Sequence, residues 1–356
     1  MSSFSLGRKE IGPDHPPFII AEMSGNHNGN LGRAFEIMEA AKNAGADAVK
    51  LQTYTADTIT IDHDSAEFKI QGGLWDGRTL YELYQEAHTP WEWQEALFKR
   101  GRELDLIVFS SPFDETAIDF LETLGCPAYK IASFELVDVP LIQHAAKTTK
   151  PLIMSTGMAN LAEIGEAVKV AREAGANQII LLHCVSGYPV PEEEADLRTI
   201  PDLSLRFGLQ VGLSDHTLGT SVAVAAVAMG ATIIEKHFTL RRADGGPDSA
   251  FSLEPHELKK MVKECHTAWA ALGKAGYDLK PSEAKNLTFR RSLYAVENIP
   301  AGTILTRQNI RSIRPGYGLS PRYLPLILGG RARCRIARGT PLSFELIELR
   351  QATQNE

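Results

Sequence analysis

The segment IIEKHFTL, residues 233–240, begins with β-branched apolar residues and ends in Glu235, Lys236 and His237. Such a short apolar start is typical of a buried strand. Charged side chains, however, are rarely buried without a partner or a chemical task. The segment therefore predicts a strand whose carboxyl end reaches a polar site.

Seven other segments share this design, and the stretches between them have helical periodicity and often end in glycine. The eight candidate strands are residues 18–24, 48–53, 106–112, 128–133, 151–156, 179–184, 211–216 and 232–238. Because strands that alternate with helices pair in parallel, eight such units predict a closed (β/α)8 TIM barrel. An open doubly wound sheet is the alternative, disfavoured because no G-x-G-x-x-G turn follows the first strand.

The chain is long enough for a barrel and a second, smaller domain. Its 356 residues exceed the roughly 250 that a barrel needs. A polar stretch at 274–289 predicts a linker between a barrel domain at 1–273 and a turn-rich domain at 290–356. A domain of this size has a modest core, so docking on another surface would stabilise it.

The composition indicates which classes of partner and which cellular location to expect. The sequence has no run of about 18 apolar residues, and its start lacks the apolar centre of a secretory signal. We therefore expect a cytoplasmic protein that does not act in a membrane. A net charge of −7 argues against nucleic acid as a main partner. The four scattered cysteines predict reduced thiols, since they show no metal-type or redox-type spacing.

The polar strand ends of a barrel meet on one rim, where barrel enzymes keep their chemistry. Lys50 and Lys130 lie at two of these ends, and the hydroxyls of Ser133 and Ser155 lie at others. Together they predict a site for a phosphate or carboxylate anion, with Lys236 as a third candidate cation. A structural salt bridge is the alternative role for each lysine.

Two histidines and a glutamate end further strands. His216 and His237 lie on neighbouring strands, so both imidazoles can face one divalent metal, with Mn²⁺ the first candidate and Mg²⁺ or Co²⁺ the alternatives. Asp215 and Glu235 are predicted to orient or ligate around it. Glu22, at the end of the first strand, is the candidate general base, with a structural ion pair as its alternative.

Eight motifs closely resemble those of the sialic acid synthase family, which condenses phosphoenolpyruvate with an N-acylated hexose to form a nine-carbon nonulosonic acid. In order they are AEMSGNHNG, KLQTY, SSPFD, YKIAS, MSTGM, LHCVSGYP, GLSDHT and EKHFTL. The resemblance covers almost the whole chain. Within the family, AEMSGNHN and GLWDGRTLYELYQEAHTPWEW are most similar to the members that make pseudaminic acid. Members that make N-acetylneuraminate or legionaminate are the alternatives.

The resemblance implies a role for each rim residue. Glu22 would be the acid/base, and His237 would serve catalysis as well as bind the metal beside His216. The residues that would bind phosphoenolpyruvate are Lys50, Gln52, Lys130, Ser133 and Ser155. Those that would bind the acceptor sugar are Glu135, Tyr188 and Asp248. The further substrate-binding candidates are Ser111, Ser186 and Ser214.

Two of these serines depart from the family pattern. Ser111 stands where the family often has threonine, which keeps the hydroxyl. Ser186 stands where some sialic acid synthases have asparagine, and this difference fits a different acceptor sugar.

The tail, with IPAGTILT and RPGYG, resembles the antifreeze-like (SAF, β-clip) domain of the family. This resemblance implies a domain-swapped homodimer, in which the tail domain caps the barrel of the other subunit and Arg314 reaches the sugar site. A solvated arginine in a simple dimer clasp is the alternative.

The mechanism implied has a metal that polarises the aldehyde of a 2,4-diacetamido-2,4,6-trideoxyhexose while C3 of phosphoenolpyruvate attacks it. Water then captures the cation at the former enol carbon, with Glu22 as base, and phosphate leaves with C–O cleavage. A lysine Schiff-base aldolase and a non-catalytic sugar-binding protein remain open. The long segment 54–90, with Trp75, Tyr81 and Tyr84, either selects the sugar or packs on the barrel top.

Overall fold

The computed structural model describes residues 3–350, which divide between Gly273 and Lys274 into two compact units. The first unit contains the barrel. The subdivision of the second unit into a linker and a domain stays a prediction. Within the described residues, no helix is both long enough and apolar enough to cross a membrane.

A short antiparallel hairpin precedes the barrel, formed by β1 (Phe4–Leu6) and β2 (Lys9–Ile11). Its turn contains Gly7 at a φ of +58°, a conformation that favours glycine. Leu6 and Ile11 are buried in the main apolar core. Strands of three residues are too short to show a periodicity, so the sequence did not predict this hairpin.

Eight parallel strands close into a barrel in chain order, and the last of them pairs with the first. They are β3 (Phe18–Glu22), β4 (Ala48–Thr53), β5 (Ile107–Pro112), β6 (Tyr129–Ile131), β7 (Leu152–Ser155), β8 (Ile179–Cys184), β9 (Gln210–Asp215) and β10 (Ile233–His237). Each lies within two residues of a predicted segment at either end. The predicted (β/α)8 barrel is confirmed, and the open doubly wound sheet is excluded.

Helices connect the strands. They are α1 (Leu31–Ala44), α2 (Ala56–Ile59), α3 (Leu80–Ala87), α4 (Trp91–Glu103), α5 (Glu115–Thr123), α6 (Val139–Lys147), α7 (Leu161–Glu173), α8 (Thr199–Phe207), α9 (Ser221–Ala228) and α10 (Pro255–Leu272). Side-chain caps explain where several begin. The Asp114 carboxylate accepts the first amides of α5, and Asn160 forms a capping box with Glu163 in α7.

The register around β3 sets the geometry of the rim. Glu22 lies beside Lys50 of β4 on one side and beside His237 of β10 on the other. Because successive side chains of a strand point to opposite faces, Glu235 and His237 share one face of β10 and Lys236 takes the other. Three strands thus bring two carboxylates, a lysine and a histidine to one place.

The second unit has short strands around a small core. A 3-10 helix, Pro281–Phe289, precedes two antiparallel pairs and a single turn of helix. These elements are β11 (Ser292–Ala295), β12 (Ile310–Ile313), α11 (Leu324–Ile327), β13 (Arg331–Ala332) and β14 (Ile347–Glu348). The core residues are Leu293, Ala295, Ile299, Leu305, Ile310, Ile327, Ala332, Ile336, Leu342 and Ile347.

Candidate active site

A buried cluster of two lysines and two glutamates occupies the carboxyl end of the barrel. Lys50 Nζ lies 3.1 Å from Glu22 Oε2 and 2.9 Å from Glu235 Oε1. Lys130 Nζ lies 3.4 Å from the same Glu235 oxygen. All four side chains are 5% exposed or less. Glu235 is therefore the centre of the cluster, a role that the sequence did not predict for it.

The two carboxyls of the cluster have very different pKa values. Burial opposes ionisation of Glu235, but Lys130 and Lys50 together lower its pKa to about 2. The cation that contacts Glu22 is Lys50, whose charge is shared with Glu235, and burial raises the pKa of Glu22 to about 7. A carboxyl with a pKa near neutrality can both take up and release a proton at physiological pH.

The two lysines of the cluster also differ in pKa. Burial lowers the pKa of Lys130, and the attraction of Glu235 only partly offsets this. Burial also opposes ionisation of Lys50, but its two carboxylate neighbours raise its pKa above the ordinary value. Lys130 is thus the ammonium with the weaker compensation. A bound anion would supply the missing negative charge.

Several buried polar atoms at the strand ends or in the turns just after them lack a hydrogen-bond partner among the described residues. They include Ser111 Oγ, Ser155 Oγ, Glu135 Oε2, Glu235 Oε2 and His237 Nδ1. Buried polar atoms in native proteins are nearly always paired, so a group of them in one place indicates a ligand site. All five belong to residues that the sequence singled out.

Two further hydroxyls converge on the loop that follows β7. A Cβ added at Gly157 would lie 2.3 Å from Ser186 Oγ and 2.8 Å from Ser133 Oγ. Both hydroxyls can approach the backbone of residue 157 this closely only because glycine has no side chain. On the opposite wall, Gln52 Nε2 donates to Glu22 Oε1 at 3.0 Å and orients that carboxyl.

The two rim histidines face one another. Their ring centres are 5.4 Å apart. Nδ1 of His216 lies 3.0 Å from the carbonyl oxygen of Val185, so it carries the proton and leaves Nε2 with a lone pair. Burial holds the pKa of His237 well below its ordinary value, so that imidazole is neutral. A neutral imidazole with an unpartnered nitrogen is what a divalent metal requires.

The described residues contain no group of three or more His, Cys, Asp or Glu arranged to hold a metal. A site here would use the two histidines, with the remaining ligands from water or substrate. Cys184 Sγ lies 3.8 Å from His216 Nδ1. Burial opposes ionisation of this thiol, but His216 lowers its pKa to about 7. Cys184 is a free thiol, as the sequence predicted. The sequence did not predict its contact with His216.

An aromatic wall stands beside the histidines. The Tyr188 ring lies 4.5 Å from the His216 ring and 5.2 Å from the Phe251 ring, which in turn lies 4.9 Å from His237. Val190 pairs through its backbone with His216 and Thr217, just after β9, and this pairing places Tyr188, in the loop after β8, beside the rim.

Asp248 lies in a neighbouring loop and is buried. It accepts hydrogen bonds from the Ser24 hydroxyl and, at 3.4 Å, from the Gly25 amide. Burial raises the pKa of Asp248. Its carboxylate therefore ties the loop after β10 to the turn after β3, next to Glu22.

The structure separates some predicted residues from this cluster. Lys236 Nζ lies 2.6 Å from Asp215 Oδ2 and donates to the carbonyl of Thr217, so it is not a third cation of the anion site, and Asp215 serves it rather than the metal. Ser214, by contrast, joins the cluster, because its hydroxyl donates to Glu235 Oε1 at 3.2 Å. Arg314 belongs to the second unit, where it is exposed, and its role at the sugar stays a prediction.

The fold and the rim define a class: a (β/α)8-barrel enzyme built to hold a small anion next to two histidines. A model of the NeuB family matches residues 37–277, and a model of the SAF domain matches residues 290–348. The chain belongs to the NeuB family. The family, fold and enzyme predictions are confirmed, and the Schiff-base aldolase and binding-protein alternatives lose their support.

Individual relatives agree. The chain is 46% identical over 334 residues to a pseudaminic acid synthase of Helicobacter pylori, which covers 94% of this chain and 98% of that protein. It is 37% identical to an N,N'-diacetyllegionaminic acid synthase of Legionella pneumophila, with 96% and 98% covered. Among solved structures, an N-acetylneuraminic acid synthetase of Leptospira borgpetersenii in complex with citrate is 32% identical, with a TM-score of 0.72 and 80% and 95% covered.

Proposed function

We propose that this protein condenses phosphoenolpyruvate with 2,4-diacetamido-2,4,6-trideoxy-β-L-altrose and water to give pseudaminic acid and phosphate. The observation that carries the chemistry is the pair of buried lysines on the same rim as unpartnered hydroxyls, with a carboxyl of near-neutral pKa beside Lys50. The acceptor follows from the 46% identity to the H. pylori synthase. An N-acetylneuraminate or legionaminate synthase is the second candidate, supported by the relative at 37% identity.

Phosphoenolpyruvate fits the anion site by charge and by hydrogen bonding. Its phosphate and carboxylate would lie against Lys130 and Lys50, and the Ser111 and Ser155 hydroxyls would gain partners. Ser133, beside Gly157, and Gln52, through Glu22, complete this side of the site. Two anchored anionic groups would fix the enol carbon, and fixed orientation supplies much of the acceleration in a two-substrate reaction.

His216 and His237 would hold a divalent metal, for which Mn²⁺ is our first choice and Mg²⁺ or Co²⁺ the alternatives. The unpartnered nitrogen of His237 and the tautomer of His216 fit this role. When bound, the metal would act as a Lewis acid on the sugar aldehyde.

The reaction forms a C–C bond between C3 of phosphoenolpyruvate and the aldehyde carbon, whose oxygen takes up a proton. Water then adds to the cation left at C2, and Glu22 is placed to accept a proton from that water. Loss of phosphate by cleavage of the C2–O bond regenerates a carbonyl at C2. Gln52 holds one oxygen of Glu22, and Lys50 stabilises the carboxylate before the transfer.

The acceptor sugar would lie on the aromatic side of the rim. Tyr188 stands over His216 there, and Glu135 has a buried carboxyl oxygen without a partner. Asp248 and Ser186 would border the same space. A sugar amide or hydroxyl donating to Glu135 would satisfy that oxygen.

A domain-swapped homodimer, with Arg314 of the second unit reaching the sugar of the partner, completes the proposal. Residues 290–350 contain eleven arginines and three glutamates, although the whole chain carries −7, so the remainder is strongly acidic. Phe134, Val137 and Met158 follow barrel strands and are 58%, 61% and 63% exposed. Opposite charge and an apolar rim favour association of the two surfaces between subunits. The cytoplasm stays the predicted location.

The test is phosphate release from phosphoenolpyruvate in the presence of Mn²⁺, with three acceptors compared. We expect the diacetamido-trideoxy-altrose to be preferred over N-acetylmannosamine and over the legionaminic precursor, and chelation to abolish release. Preference for either of the other sugars would transfer the protein to the second candidate function. Release with none of the three would reject the condensation.

A further inference from the structure

A small flap in the long segment after β4 reaches the candidate sugar site. We define the flap as residues 70–78. Its base is closed by two backbone hydrogen bonds, from Ile70 N to Arg78 O at 2.8 Å and from Gly77 N to Ile70 O at 3.0 Å. Its tip is a 3-10 turn, Gly73–Trp75, that ends in the only aromatic side chain of the flap.

Glycines give the tip its shape. Gly72, Gly73 and Gly77 have φ values of +76°, +74° and +82°, which residues with a side chain rarely adopt. None of them would meet another atom if a Cβ were added, so the glycines are required by the backbone and not by crowding. The turn they make sets the position of Trp75.

Trp75 is held at the sugar site by two contacts. Its indole Nε1 donates to the carbonyl oxygen of Pro247 at 2.9 Å, in the same loop as Asp248. Its ring centre lies 5.8 Å from that of Tyr188, which covers His216. Trp75 is only half-buried, so part of the indole remains uncovered. Because its one polar atom is already paired, the uncovered part is apolar.

We propose that Trp75 is a specificity-determining residue that covers the C6 methyl group of the acceptor. This inference rests on the proposed function and refines it. A methyl group against the indole gains dispersion contacts and loses no hydrogen bond. A 6-hydroxyl at the same place would lose its hydrogen bonds to water and gain no new partner, because the indole N–H is engaged with Pro247.

The expected discrimination is moderate. An apolar surface rejects an added hydroxyl by at most about a hundredfold in kcat/KM. We therefore expect the wild-type enzyme to favour the 6-deoxy acceptor over its 6-hydroxy analogue by roughly ten- to a hundredfold. The 6-deoxy legionaminic precursor would not be rejected by this contact, so selection among 6-deoxy sugars belongs to other residues.

The test uses two diacetamido-altroses that differ only at C6, with a methyl or a hydroxymethyl group. In Trp75→Ala, kcat/KM for the methyl sugar should fall by about tenfold while that for the hydroxymethyl sugar changes little. The KM for phosphoenolpyruvate should be unchanged. Leu74→Ala is the matched control, since Leu74 lies in the same turn and is 50% exposed. It should leave the ratio of the two sugars as in the wild type.

If Trp75→Ala leaves the ratio of the two kcat/KM values unchanged, whether by an equal loss for both sugars or by no loss, the inference is overturned. Trp75→Phe separates the effect of ring packing from that of the hydrogen bond to Pro247, because it keeps an aromatic ring but loses that bond. It should retain most of the preference for the methyl sugar. A wild-type enzyme inactive with every acceptor would instead overturn the proposed function, and that result is visible before any variant is made.

Discussion

The ammonium of Lys50 lies 2.9 Å from the carboxylate of Glu235, and both side chains are 5% exposed. Each belongs to a different strand, and neither could be buried alone without a large desolvation cost. Their pairing lets a cation remain buried at the place where the substrate anion would bind.

Glu235→Gln should therefore destabilise the protein by about 3–5 kcal/mol, because two buried ammonium groups lose their shared counter-ion. Unfolding in urea, followed by circular dichroism, measures this. Glu173→Gln is the control, since Glu173 pairs with Lys169 on the surface while 65% exposed, and it should cost less than about 1 kcal/mol. Equal effects of the two substitutions would mean that the cluster is not a buried ion network.

Glu22→Gln should lower kcat by about 10²–10⁴-fold while the protein still binds phosphoenolpyruvate, because an amide cannot accept the proton from water. Calorimetric titration with phosphoenolpyruvate would verify binding. Near-normal turnover would show that Glu22 is not the base.

Gly157→Ala should raise the KM for phosphoenolpyruvate by about ten- to a hundredfold, because the new methyl group would displace the hydroxyls of Ser133 and Ser186. Gly165→Ala serves as control, since its Cβ would meet only the Phe207 ring at 3.9 Å. If the two variants behave alike, the hydroxyls beside Gly157 do not bind substrate.

Glu135 should make stability depend on pH. Burial raises its pKa from 4.5 to about 7, so the folded state binds the proton more tightly than the unfolded state does. Its contribution is then fully present below about pH 4.5 and is lost as the pH rises towards 7. Glu135→Gln should remove this loss, so the variant gains stability relative to the wild type between pH 5 and pH 8. A difference that stays constant over this range would contradict the assignment.

His237→Ala should abolish turnover that depends on Mn²⁺, by more than about a hundredfold, and leave the fold intact. Metal content after dialysis, measured by elemental analysis, separates loss of metal from loss of chemistry. Normal activity with normal metal content would exclude His237 as a ligand.

The sequence predicted the barrel because each strand carries its own local pattern, as in β4 and β8, whose bounds match in full. It placed Lys236 with the wrong neighbours because three ionisable residues in a row suggest one cluster. The alternation of a strand sends Lys236 to the face opposite Glu235 and His237. The contact of Trp75 with Tyr188 joins distant parts of the chain, and no local pattern encodes it.

The most direct measurement uses phosphoenolpyruvate labelled with ¹⁸O at the oxygen that joins C2 to phosphorus, with the diacetamido-trideoxy-altrose as acceptor. Mass spectrometry of both products decides the outcome. The account predicts a nonulosonic acid without label and a phosphate that carries it, because water attacks C2 and the C–O bond breaks. Label retained in the sugar acid, or no nonulosonic acid formed, would contradict it.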